Sequence, residues 1–168
     1  MQSYVSQNVK IGKSKNGKGL FAIKKIPKGE IIIDYTKGPG KFIPEKEAER
    51  LYRKGNDYMI QTGDDSFFAS TNKKELEDAD FINHSCNPNC GIQGSLRIVS
   101  IRAIRSGEEI TFDYAMSESA HYNMKCSCGF PNCRGIITGN DWKLKSLQKK
   151  YLGFFSTYIQ KKILSKNP

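Results

Sequence analysis

Asn83-His84-Ser85-Cys86-Asn87-Pro88-Asn89-Cys90 is a polar octapeptide set between apolar runs, and Glu109-Ile110-Thr111-Phe112-Asp113-Tyr114 follows it downstream. Pro88 and three asparagines mark the first as a turn or loop. In the second, Ile110, Phe112 and Tyr114 alternate with Thr111 and Asp113. A strand would therefore turn the three large side chains to one face.

Working outward, the same logic yields many short strands and little helix. Strands are expected over 5–11, 20–23, 31–35, 96–104 and 110–114. Turns fall at Ser14–Gly19, Ile26–Glu30, Lys37–Gly40 and Arg105–Glu108, and a hairpin joins 57–61 to 66–69 through Gly63-Asp64-Asp65. Pro44 to Lys54 reads as a helix, with Pro44 in its first turn, acidic residues next and Gly55 as its stop. From Asp141 the period lengthens: Leu144, Leu147, Tyr151, Phe155 and Tyr158 form a helical stripe that Gly153 should kink or divide. An aromatic stripe of this kind packs on a domain more readily than it lies on a membrane.

The 168 residues suit one domain able to bury its own core. No run of 18 apolar residues occurs, so no membrane span is expected, and residues 1–10 lack an apolar signal core. Net charge is +10, carried by 21 Lys and 6 Arg. The lysines are scattered rather than gathered in a tract, so nucleic-acid contact is expected to be weak at most.

Five cysteines occur, three as Cys126-x-Cys128-x4-Cys133. Three thiolates so spaced can close on one zinc ion, which takes a fourth ligand. His121 lies on a linker upstream; Cys86 of the polar octapeptide is the better fourth, with Cys90 left as a buried thiol. Four thiolates leave no open position, so such a site would be structural. Ordinary buried thiols are the competing reading.

Taken together, Asn-His-Ser-Cys-x-Pro-Asn at 83–89 and Gly-Glu-Glu-Ile-Thr-x-Asp-Tyr at 107–114 resemble the two C-terminal motifs of the SET-domain protein-lysine methyltransferases. Gly17-Lys18-Gly19, weak alone, is followed by Ile26-Pro27-Lys28-Gly29-Glu30 and resembles the N-terminal motif of that family; the cysteines resemble its post-SET segment. The resemblance implies a mostly β, β-clip-like fold of small curved sheets with few helices, a knot-like C-terminal motif and a helical tail. It divides the chain into a SET domain over 5–118 with an inserted helical region at 37–56, a zinc segment over 122–138 and a tail over 139–168 packed on the domain. It also implies S-adenosylmethionine as methyl donor, contacted by Lys18, Gly19, Leu20, Asn83, His84 and Tyr114, with Trp142 closing over the adenine or serving the core. Zinc would be held by Cys86, Cys126, Cys128 and Cys133. Tyr114 would position donor and amine; Tyr58 is the second active-site tyrosine or a core aromatic. Phe112 takes the position that sets the product, and phenylalanine there implies di- or trimethyllysine. Two departures stand out: no cysteine-rich segment precedes residue 5, and Thr36-Lys37-Gly38 replaces the usual Gly-Glu after the third strand.

The expectation is a monomeric enzyme acting on an exposed lysine of a histone tail or another basic protein. It would be intracellular: nuclear in a eukaryote or after delivery to a host, otherwise cytoplasmic. A zinc-stapled docking module that binds nucleic acid or chromatin without turnover is the alternative. A basic protein recognises a basic tail only through a locally acidic groove, for which Asp64, Asp65, Glu75, Glu77, Asp78 and Asp80 are candidates.

Overall fold

A computed structural model describes residues 1–165. The strands in chain order are β1 (Tyr4–Val5), β2 (Val9–Ser14), β3 (Gly17–Ala22), β4 (Ile31–Asp34), β5 (Lys41–Ile43), β6 (Met59–Gly63), β7 (Ser66–Ala69), β8 (Asn83–His84), β9 (Cys90–Gln93), β10 (Arg97–Ser100), β11 (Glu109–Phe112), β12 (Asn123–Lys125) and β13 (Ile136–Thr138). The helices are α1 (Glu45–Arg53), α2 (Lys145–Lys150) and α3 (Thr157–Ser165). A curved sheet runs β1-β4-β10-β9-β11-β3-β2 with β8 also on β11; β5-β7-β6 and β12-β13 form two smaller sheets. This is the mostly-β architecture of small curved sheets expected from the sequence.

β11 organises the molecule. Ile110 and Phe112 point inward and are almost fully buried, while Glu109 and Thr111 stay partly exposed, as strand alternation requires. One edge of β11 pairs antiparallel with β3 and then runs parallel to β8, and the other touches β9 at Cys90. The polar octapeptide is thus not wholly a loop. Its first residues lie against β11, where buried backbone groups must find partners: Asn83 pairs with Thr111 and His84 with Phe112. Asn89 fixes the far end, donating from Nδ2 to the Glu109 carbonyl at 2.7 Å and accepting the Thr111 N–H at 3.0 Å.

Four other expectations shift. β11 ends at Phe112, because Asp113 Oδ1 accepts the Ala115 N–H and bends the chain into a short 3-10 turn over Tyr114–Met116. The strand expected over 96–104 shortens to β10, and Pro44 stands at the N-cap of α1 rather than in its first turn. The Asp141 stripe breaks into a 3-10 turn at Asp141–Lys143, α2 and α3, divided near Gly153, whose φ of 84° suits glycine. Its apolar face still packs inward: Leu147, Tyr151, Phe155 and Tyr158 are buried with the main core, although Leu144 is exposed. Backbone bonds tie the tail to β9, Ile92 N–H to the Phe154 carbonyl at 3.0 Å and Thr157 N–H to Gly94 at 2.8 Å.

Candidate active site

Two cavities meet at Asn83 and His84. One, of about 370 Å³, is walled by aromatic side chains including Tyr58, Phe112, Tyr114 and Tyr122. The other, of about 300 Å³, is strongly polar, with Lys15, Asn87, Arg102, Glu108 and Glu109 on its wall. Asn16, Ser127 and Cys128 also face both.

Asn83 Nδ2 donates to the Lys18 carbonyl at 2.9 Å and to Glu109 Oε1 at 2.7 Å, so β3, β8 and β11 converge there. Gly19 permits this approach: a Cβ on it would stand 2.5 Å from Glu109 Oε1 and 3.0 Å from Asn83 Nδ2. Lys18 lays its ammonium over the Phe81 ring, and Leu20 is fully buried in the core. Neither cavity is lined by Lys18, Gly19 or Leu20; the hairpin tip at Lys15-Asn16 reaches the walls instead.

His84 is buried, and its Nδ1 accepts the Tyr114 N–H at 3.2 Å, which leaves the proton on Nε2. Burial pushes its pKa down to about 4 against the pull of Asp113, so the ring is neutral. Its ring meets that of Tyr114 edge-on at 5.1 Å, and Tyr114 meets Phe112 at 5.0 Å. Among the described residues the Tyr114 hydroxyl has only a long contact, 3.4 Å, to the Ile82 carbonyl. Burial, then the negative charges of Asp57 and Glu118, push its pKa up, so it is a neutral phenol and not a base. Tyr58 packs edge-on against Phe81 at 5.4 Å while lining the aromatic cavity. Trp142 lies in the core, on the wall of neither cavity.

The four cysteine sulfurs of Cys86, Cys126, Cys128 and Cys133 lie within 4.8 Å of one another. The Cys86–Cys126 separation is 3.8 Å, and a tetrahedral ion with bonds of about 2.3 Å places its sulfurs about 3.8 Å apart. Backbone N–H groups of Arg134 and Gly135 point at the Cys86 and Cys133 sulfurs, both at 3.4 Å, as thiolates favour. The donor set fits zinc. Cys90 stands apart as a fully buried thiol.

Sequence reasoning missed the network beneath this site. Arg134 donates from both terminal nitrogens to the two Asp113 oxygens, each at 2.7 Å, and from Nε to Asp141 at 2.8 Å. Tyr151 adds its hydroxyl to Asp113 at 3.2 Å and to the Cys86 carbonyl at 3.3 Å. The residue beside Tyr114, a cysteine loop and the tail are thereby locked together. The expected acidic patch is also revised. Glu75 pairs with Lys41, Glu77 takes the Ser3 N–H, and Asp64 pairs with Lys162, so each serves local structure. Of those candidates only Asp80 reaches the aromatic cavity, whose other carboxylates are Glu45, Glu49, Asp57 and Glu118.

Residues 17–115 match the SET domain family. A histone-lysine N-methyltransferase of Schizosaccharomyces pombe, H3 lysine-4 specific, is 35% identical over 132 residues, covering 71% of this chain and 14% of that protein. An H3 lysine-36 specific enzyme of Cryptococcus neoformans is 36% identical over 140 residues, 74% of this chain and 16% of its own length. Histone-lysine N-methyltransferase Set2 of Drosophila melanogaster is 37% identical over 138 residues, 74% of this chain and 6% of its own. The chain thus spans only a small part of the curated relatives it matches.

Proposed function

The chain belongs to the SET domain family, and from that premise we propose that it transfers methyl groups from S-adenosylmethionine to the side-chain amine of a protein lysine. The observation that carries this reading is the meeting of a polar and an aromatic cavity at Asn83 and His84, with Tyr114 and Phe112 on the aromatic side.

Bound S-adenosylmethionine would supply a methyl group on a sulfonium. Asn83 and neutral His84 fit fixed polar recognition of the cofactor, with the backbone of Lys18–Leu20 and Tyr114 beside them. Trp142 then contributes by packing beneath the site. Tyr114 and Tyr58 align donor and acceptor in a channel from which water is largely excluded, so orientation and fixed oxygen dipoles do most of the catalytic task. Phe112 lacks the hydroxyl that would hold a water beside the amine, which leaves room for the second and third methyl groups. Zinc on Cys86, Cys126, Cys128 and Cys133 would be structural and hold residues 122–138 over the cofactor, the tail over 139–168 buttressing the SET domain of 5–118.

The substrate is a lysine in an extended segment of a histone tail or another basic protein, entering along the carboxylate-bearing rim as an added strand. Among the described residues no helix is long and apolar enough to cross a membrane. The enzyme would work where such proteins are, in the nucleus of a eukaryote or of a host, or else in the cytoplasm.

The test is transfer of labelled methyl to nucleosomes, free core histones and a cell lysate, with wild type beside Tyr114→Phe. Label that disappears in the variant supports the reading. No incorporation anywhere, together with no calorimetric binding of S-adenosylmethionine, sinks it and leaves the docking module.

A further inference from the structure

Glu118 lies in the aromatic cavity beside Tyr114. Its N–H donates to the Tyr114 carbonyl at 2.9 Å, so it stands one turn beyond Tyr114, and both side chains line the same cavity. Oε1 takes two donors, the Gln61 N–H at 3.2 Å and the Ser117 hydroxyl at 2.9 Å. Oε2 accepts from no described residue. The Tyr122 hydroxyl, on the same wall, is buried without a partner among the described residues.

No cationic side chain among the described residues bonds to Glu118. The phenols of Tyr114 and Tyr122, the carboxylates of Glu45, Glu49, Asp57 and Asp80, and the exposed Lys125 and His121 side chains line the same cavity. On the side of β6 and α3, Gln61 and Ser119 lead to Tyr158, while Lys162 is engaged by Asp64 and Tyr158. Burial raises the Glu118 pKa to about 7, against the two hydrogen bonds on Oε1. A carboxylate held this way has no bonded counter-charge among the described residues, and a lysine ammonium entering the channel would supply one.

We propose that Glu118 receives the ammonium of the target lysine through Oε2 and takes its proton, a role that rests on the methyl-transfer reading above. The proton passes from the lysine nitrogen to the carboxylate, giving a carboxylic acid and a neutral amine. The amine lone pair forms the C–N bond to the methyl carbon as the C–S bond breaks. That bond's electron pair stays on sulfur as a neutral thioether, and the product is an N-methylammonium. Glu118 returns its proton to water before the next methyl. Against a free lysine near 10.4, the proton crosses a pKa gap of about three instead of the about six an ordinary carboxyl would present, and burial beside a sulfonium narrows it further.

The test is kcat and KM of wild type, Glu118→Gln and Glu118→Asp from about pH 6 to about pH 9.5, with folding followed by circular dichroism and cofactor binding by calorimetry. Glutamine keeps the Oε1 acceptor, so the fold should survive. Wild-type kcat is expected to rise through about pH 7 and level off. Glu118→Gln is expected to lose about 100-fold in kcat at pH 7, the scale of a general base, and to recover much of it towards pH 9.5 as solvent deprotonates the amine. Glu118→Asp, which keeps the charge, should retain a rise at low pH, and carries the test if the glutamine variant does not fold. Parallel profiles for active wild type and variants, offset by one factor at every pH, would overturn the role and make Glu118 structural. Wild type inert at every pH would instead remove the methyl-transfer reading itself.

Discussion

Phe112 and Tyr114 sit two residues apart, yet the chain turns between them, so they reach the cavity from different elements, a strand end and a 3-10 turn. Their rings still meet at 5.0 Å. Strand alternation foresaw that the two would share a side, although the geometry bringing them together is the Asp113 cap rather than the pleat. Adding a hydroxyl in Phe112→Tyr should hold a water beside the amine and shift the product ratio towards monomethyllysine by about tenfold, the scale of one hydrogen bond. Mass spectrometry of a methylated peptide reads this ratio; an unchanged distribution contradicts the role given to Phe112. The motif residues Asn83, His84 and Tyr114 were legible because each is an unusual polar or aromatic residue in a fixed local pattern. Glu118 was not, since Ser117-Glu118-Ser119 looks like any solvated segment until Gln61 and Ser117 fold over it.

At the scale of elements, the segment carrying three cysteines has little core of its own. β12 is exposed along its length, and β13 buries only Ile137 deeply. Its order comes from the sulfur cluster, which joins it to Cys86, and from the Arg134 bonds to Asp113 and Asp141. Removing zinc with a chelator, or Cys126→Ser, should open residues 122–138 to limited proteolysis. It should also weaken S-adenosylmethionine binding at least about tenfold by calorimetry, while the far-UV spectrum of the main sheet is retained; unaltered cleavage and affinity would count against a structural ion. The cysteine cluster was visible because three of its four members stand within eight residues of one another. β8 was not, because its pairing with β11 joins residues distant in sequence, and an Asn- and Pro-rich stretch carries the composition of a turn. The tail's stripe signalled burial correctly, and only its division into turn, α2 and α3 escaped the periodicity.

Across the whole molecule, Arg134 links the end of β11, the cysteine segment and the tail through Asp113 and Asp141. Asp113 is fully buried, so Arg134→Ala would leave an uncompensated charge, and breaking such a pair costs about 3–5 kcal/mol. Chemical denaturation at pH 7 should register a loss of that size; a loss below about 1 kcal/mol would mean that the network does not join the three parts. No local pattern announces this pair, since Arg134 and Asp113 stand 21 residues apart. Net charge misleads at this scale as well: a chain of +10 nevertheless lines its aromatic cavity with Glu45, Glu49, Asp57, Asp80 and Glu118. The proposal that this cavity receives a lysine side chain for methylation stands or falls on tandem mass spectrometry of a histone or lysate protein after incubation with S-adenosylmethionine and the wild-type chain, beside Tyr114→Phe. Di- or trimethyl groups on a lysine side-chain nitrogen, absent with the variant, are the predicted result. Methyl groups on no lysine, or the same modification with Tyr114→Phe, would contradict the account.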